Sequence, residues 1–131
     1  MNIKLTNEES LEYFYNSLCN AAGIDYMSCY NLELQYNKEQ YQQAKEKLDN
    51  PCYEDVLIQI LKDGGWLRLQ DLEDMSLEDS NTTKTITLKD VHEKVQLTPF
   101  NHLSDMINEN DDATTADVIL QTVFYGEIIF G

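Results

Sequence analysis

Apolar residues in this chain recur at helical spacing along most of its length and at a period of two in only a few short runs, and this change of period restricts the fold more than any other property. The first run is the plainest. Thr6 with Glu9 three residues on makes a capping box, and Leu11, Phe14, Tyr15, Leu18, Cys19 and Ala22 then fall at helical spacing before Gly23, which suits a helix C′ position. A helix over 7–22 is predicted, with Cys19 on its apolar stripe as a small hydrophobe. Tyr30, Leu32, Leu34 and Tyr36 alternate with Asn31, Glu33 and Gln35, which is the pattern of a half-buried strand. Asn37 and Gln40 then mark the start of a polar helix over 38–48 that buries little beyond Tyr41, Ala44 and Leu48.

Asn50-Pro51 reads as an N-cap followed by an N1 proline. The helix it starts runs to residue 62, buries Tyr53, Val56, Leu57, Ile60 and Leu61, and stops at Gly64-Gly65. Residues 66–72 and 84–88 both alternate, which predicts a β-hairpin joined by a long acidic loop with little in it to pack. Val91 and Val95 indicate a short helix, and Thr98-Pro99 repeats the cap-and-proline signal for a helix through Leu103, Met106 and Ile107 to about residue 109. A last helix begins near Thr114 or Thr115, buries Ala116, Ile119, Leu120, Val123 and Phe124, and ends at Gly126. The segment 127–130 is expected to dock on the core as a strand-like piece. The fold class that follows is α+β, a helix-majority single domain over 1–131 with a small antiparallel sheet containing a β-hairpin.

Charge sets the function classes. The chain carries 24 acidic against 9 basic residues, a formal −15, far beyond the magnitude of about 2 to 8 that suits solubility in a small domain. Such a field repels nucleic acid and anionic membranes and attracts basic partners. No apolar run approaches the roughly 20 residues of a membrane-crossing helix. The start, Met1 to Glu9, has no apolar signal region, and the three cysteines Cys19, Cys29 and Cys52 have no C-x-x-C spacing; a reducing, cytoplasmic setting is expected.

No pattern of catalytic or metal-binding residues emerges. His92 and His102 form no H-x-x-x-H or H-E-x-x-H pair. Asn108, Asn110 and Asp112 alternate as in a calcium loop, yet Ala113 and Ile119 stand where glycine and a bidentate glutamate are required. Gly64-Gly65 lacks the surroundings of a phosphate cradle, and no serine lies in a nucleophile elbow. A non-enzymatic protein without cofactor is expected.

Glu8, Glu9, Glu54, Asp55, Asp90, Asp111 and Asp112 lie at helix starts, where the dipole favours negative charge. Glu73, Asp74, Glu78 and Asp79 in the hairpin loop, with Asp105, Glu109 and Asp117 in the late helices, have no such explanation and are expected to form a solvated face or to meet a basic partner. Carboxylates three or four residues apart on a helix lie about 5–6 Å from one another, and duplex DNA carries one charge per roughly 1.7 Å of axis. An acidic face can therefore imitate phosphate backbone and compete for a Lys/Arg-lined cleft. Tyrosine offers another route to a partner: all but Tyr125 of the eight lie in the first 53 residues, and Tyr30 and Tyr36 are the expected contacts of a tyrosine-based interaction module.

In size, charge and tyrosine content, and in the ending Asp111-Asp-Ala-Thr-Thr-Ala-Asp-Val-Ile-Leu-Gln-Thr-Val-Phe-Tyr-Gly126, the chain resembles the small acidic proteins of bacteriophages and mobile elements. Those include anti-CRISPR and other anti-defence inhibitors, several of them DNA mimics. The resemblance implies a stoichiometric inhibitor acting in the cytoplasm of a bacterial host on a basic nucleic-acid-binding protein such as a CRISPR effector. It implies no direct contact with nucleic acid or membrane. The alternative is a phage or mobile-element accessory protein that binds another protein through its tyrosine-rich N-terminal half.

Overall fold

The computed structural model describes residues 4–20, 30–74, 77–110 and 112–130. Among these the chain forms six α-helices and a three-stranded antiparallel sheet, a helix-majority α+β fold. Helix α1 (Asn7–Cys19) leads to strand β1 (Leu32–Tyr36), α2 (Lys38–Lys47) and α3 (Tyr53–Lys62). Strands β2 (Leu67–Asp71) and β3 (Lys84–Ile86) follow, then α4 (Leu88–Lys94), a 3-10 turn (Val95–Leu97), α5 (Phe100–Ile107) and α6 (Ala113–Tyr125).

The sheet order is β1-β2-β3. Leu34 lies opposite Leu69, and Leu67 lies opposite Ile86, so the inner faces of all three strands share one apolar register. β2 and β3 are the expected hairpin. Helix α6 is the centre of the molecule: every residue from Thr115 to Phe124 is buried, the condition of a helix enclosed on all sides. Phe124 meets Phe14 of α1 with ring centroids 6.4 Å apart, and one core cluster runs from Leu5 through the sheet and α3 to Phe124.

Local signals place most helix ends. Thr6 Oγ1 accepts from the Glu9 amide at 3.1 Å and Glu9 Oε1 accepts from the Thr6 amide at 3.0 Å, completing the capping box. Gly126 closes α6 in the left-handed region at φ 79°. After α3, Gly64 turns at φ 87°, and Gly65 lies so close to α3 that a Cβ there would stand 2.7 Å from Ile60 Cγ2 and 2.9 Å from the Ile60 carbonyl oxygen.

Several expectations need correction. On α1 the expected Phe14 and Leu18 are buried and Leu11 and Tyr15 are half-buried against the core, but the most deeply buried positions include Ser10 and Ser17, and Cys19 is exposed. The two small serines allow close packing and satisfy their hydroxyls on carbonyl oxygens, Ser17 Oγ donating to Tyr13 at 2.8 Å and Ser10 Oγ to His92 at 3.5 Å. The expected helix end at 20–23 runs from the C-cap Asn20 into residues outside those described.

Helix α3 is capped by Cys52, not Asn50, because the Asp55 carboxylate accepts from the Cys52 amide at 3.2 Å while Asn50 stands at φ 49°. Pro99, not Thr98, holds the cap of α5, and that helix ends at Ile107. Finally, 127–130 joins no strand. It is held by Gln121 of α6, whose Oε1 accepts from the Ile129 and Phe130 amides at 2.9 and 2.8 Å.

Candidate protein-interaction site

Beside the buried stripe of α1 stand Glu8, Leu11, Glu12 and Tyr15, spaced i, i+3, i+4 and i+7, with Leu11 and Tyr15 half-buried against the core and the two glutamates exposed. Helix α3 presents Asp55, Ile58, Gln59 and Lys62 at the same spacing, and the α2–α3 connection adds Leu48, Asp49 and Pro51. Together they enclose a groove of about 590 Å³. Its apolar lining comes from Leu11, Leu48, Pro51 and Ile58, with Ile58 buried and the others half-buried. Glu8, Glu12, Asp49 and Asp55 set four carboxylates against the single ammonium of Lys62.

One wall is fixed by hydrogen bonds. Tyr15 gives its only hydroxyl proton to Asp55 Oδ1 at 2.6 Å, and its Oη lies 3.7 Å from the Cys52 sulfur. Donation from Tyr15, and then from the thiol and amide of Cys52, holds the Asp55 carboxyl below the usual carboxylate range. The same bond to Asp55 raises the Tyr15 phenol. Asp55 is therefore an oriented anion, whereas Glu8, Glu12 and Asp49 are exposed.

The acids of the hairpin loop are largely engaged in building that loop. Asp79 Oδ1 accepts from Arg68 Nη1 at 3.0 Å and from Thr85 Oγ1 at 2.8 Å, and its Oδ2 accepts from the Thr85 amide at 2.9 Å. Arg68 also reaches the Glu78 carbonyl oxygen at 3.3 Å. Asp74 Oδ2 accepts from the Ser80 hydroxyl, and Glu73 Oε1 from the Asn31 side-chain amide at 3.3 Å. Tyr125 Oη donates to the Thr82 carbonyl at 2.9 Å, tying the loop to α6. Polar contacts rather than apolar packing thus hold the described residues of the loop, while the side chains of Glu73, Glu78 and Asp79 stay exposed at its surface.

Asp117 is not on a solvated face. Only 7% exposed, it accepts from Tyr30 Oη at 2.8 Å and from Gln121 Nε2 at 3.0 Å. Tyr30 also stacks on Phe130 with ring centroids 4.9 Å apart, so both residues tie the start of β1 to α6 and to 127–130. Tyr36 is half-buried, stacked on Tyr41 at 4.9 Å and edge-on to Tyr53 at 6.1 Å. Asp105 and Glu109 are exposed at the end of α5 and just beyond it. The structure thus brings Glu73, Asp74, Glu78 and Asp79 together in one loop, sets Asp105 and Glu109 elsewhere, and removes Asp117 to the interior.

Among the described residues no group of three or more His, Cys, Asp or Glu side chains is placed to hold a metal ion, and no helix is long and apolar enough to cross a membrane. Comparison with protein-family models, curated proteins and solved structures finds no match to the chain.

Proposed function

We propose that this chain is a non-enzymatic inhibitor that binds the basic cleft of a nucleic-acid-binding partner, of the CRISPR-effector kind, and excludes nucleic acid from it. One observation carries the reading: among the described residues exposed carboxylates outnumber ion pairs. Among the described residues four ion pairs engage Asp63, Asp79, Asp90 and Glu93, whereas Glu8, Glu12, Asp49, Glu73, Asp105 and Glu109 are exposed and take part in none of these four. A surface of this sign draws a Lys/Arg-rich protein quickly and with strong salt dependence.

The test is competition. The protein is titrated into a purified RNA-guided nuclease holding fluorescent duplex DNA, at low and at raised salt. Displacement that saturates at a fixed stoichiometry and weakens with salt is expected; unchanged DNA binding at low salt overturns the reading. The alternative, a tyrosine-based module, draws its support from the half-buried cluster of Tyr36, Tyr41 and Tyr53. Glu73→Lys with Glu78→Lys abolishes displacement by an acidic mimic, while Tyr36→Ala damages the tyrosine module more.

A further inference from the structure

We infer that the groove between α1 and α3 receives a cationic amphipathic helix of a partner protein, its apolar residues on Leu11, Leu48 and Ile58 and its Lys or Arg side chains against Glu8, Glu12 and Asp49. The inference rests on the reading that the chain binds a basic partner, but it does not depend on competition with nucleic acid.

Three features of the groove select this occupant. Its walls are two helices offering residues at i, i+3, i+4 and i+7. Seven residues at 1.5 Å rise make a trough about 10 Å long, which matches two turns of a helix bound by its own i, i+3 or i+4, and i+7 anchors. Its volume of about 590 Å³ falls within the range of about 300–1,000 Å³ of sites that enclose a compact ligand. Its charge then decides among helices.

Four carboxylates against Lys62 reject an acidic or neutral-faced helix and favour one with a basic face beside its apolar stripe. They also disfavour a second copy of this chain, which would bring a formal −15 to an anionic rim. Asp55 adds geometry to the charge, because the Tyr15 hydroxyl and the Cys52 amide fix both of its oxygens before any partner arrives.

The experiment uses the full chain and a fluorescein-labelled 15-residue Leu/Lys peptide with leucines at i, i+3, i+4 and i+7, beside a scrambled peptide of the same composition. Fluorescence anisotropy gives affinity, and amide shift mapping gives location. The patterned peptide is expected to bind at least ~10-fold more tightly than the scrambled one and to move the amides of Leu11, Tyr15 and Ile58. The double variant Glu12→Lys with Asp49→Lys, both sites exposed and free of core packing, is expected to weaken it by about 10-fold or more.

Equal binding of the two peptides, shifts confined to residues 73–79, or an unchanged affinity in the double variant each overturns the groove assignment. So does sedimentation showing that the chain pairs with itself through these residues. An unchanged peptide affinity in the double variant, with DNA still displaced by the wild-type chain, is failure of this inference alone; groove-specific peptide binding by a chain that never displaces DNA is failure of the inhibitor reading alone.

Discussion

Replacing Gln121 by leucine tests the polar knot at the centre of the fold. The side chain is fully buried and makes four hydrogen bonds: Oε1 accepts from the Ile129 and Phe130 amides, and Nε2 donates to Asp117 Oδ1 and to the Phe130 carbonyl at 3.1 Å. Leucine keeps a similar volume and removes all four. At about 0.5–1.5 kcal/mol net for each bond the loss is roughly 4 kcal/mol, and burial of the added apolar surface returns about 1–2 kcal/mol. The net cost is therefore about 2–3 kcal/mol, a fall in Tm on the order of 10 °C for a chain of this size.

Urea unfolding followed by circular dichroism gives the energy, and hydrogen exchange of the Ile129 and Phe130 amides gives the location. A loss below about 1 kcal/mol, or unchanged protection of those amides, refutes the account. Gln121→Glu provides the control, since it keeps the shape but places a second carboxyl beside buried Asp117. That carboxyl resists ionisation in the fold, so the variant is destabilised at neutral pH and recovers as the pH falls.

Two further outcomes follow from the loop and the groove wall. Asp79→Ala removes the acceptor shared by Arg68 and Thr85 and is expected to cost about 1–2 kcal/mol, held to that size by the 41% exposure of the carboxylate, with faster amide exchange at Thr85 in the same urea series. Asp55→Asn lowers Tm at neutral pH; because the folded-state carboxyl is held below its ordinary value of 3.8, its contribution is present above that pH and lost as the pH falls through the folded value, so the Tm difference from wild type closes in acid.

What the sequence made legible was local. Thr6 with Glu9 and Gly126 mark helix ends because a cap needs only its immediate neighbours, and the hairpin follows from two alternating runs. The apolar stripe of α1 is legible through Phe14 and Leu18, but the burial of Ser10 and Ser17 and the exposure of Cys19 are not, because cysteine outweighs serine on any hydropathy count. The groove is hidden because its residues come from α1, α3 and the connection before α3, and two of its four acids, Glu8 and Asp55, are accounted for by helix starts. The spacing Glu8, Leu11, Glu12, Tyr15 was the available signal. Asp117 was misplaced because its partners, Tyr30 and Gln121, lie respectively far away in sequence and on the same helix face, and an isolated acid in an apolar helix reads as exposed until they are seen.

The parts of the groove differ in how deeply they are rooted in the core. α1 and α3 are anchored by Phe14, Leu18, Leu57 and Leu61, but Leu48 hangs from the end of α2, a helix that fully buries only Ala44. A trough with two well-anchored walls and a lightly anchored edge at Leu48 sets the spacing of a guest's apolar anchors more strictly than their bulk.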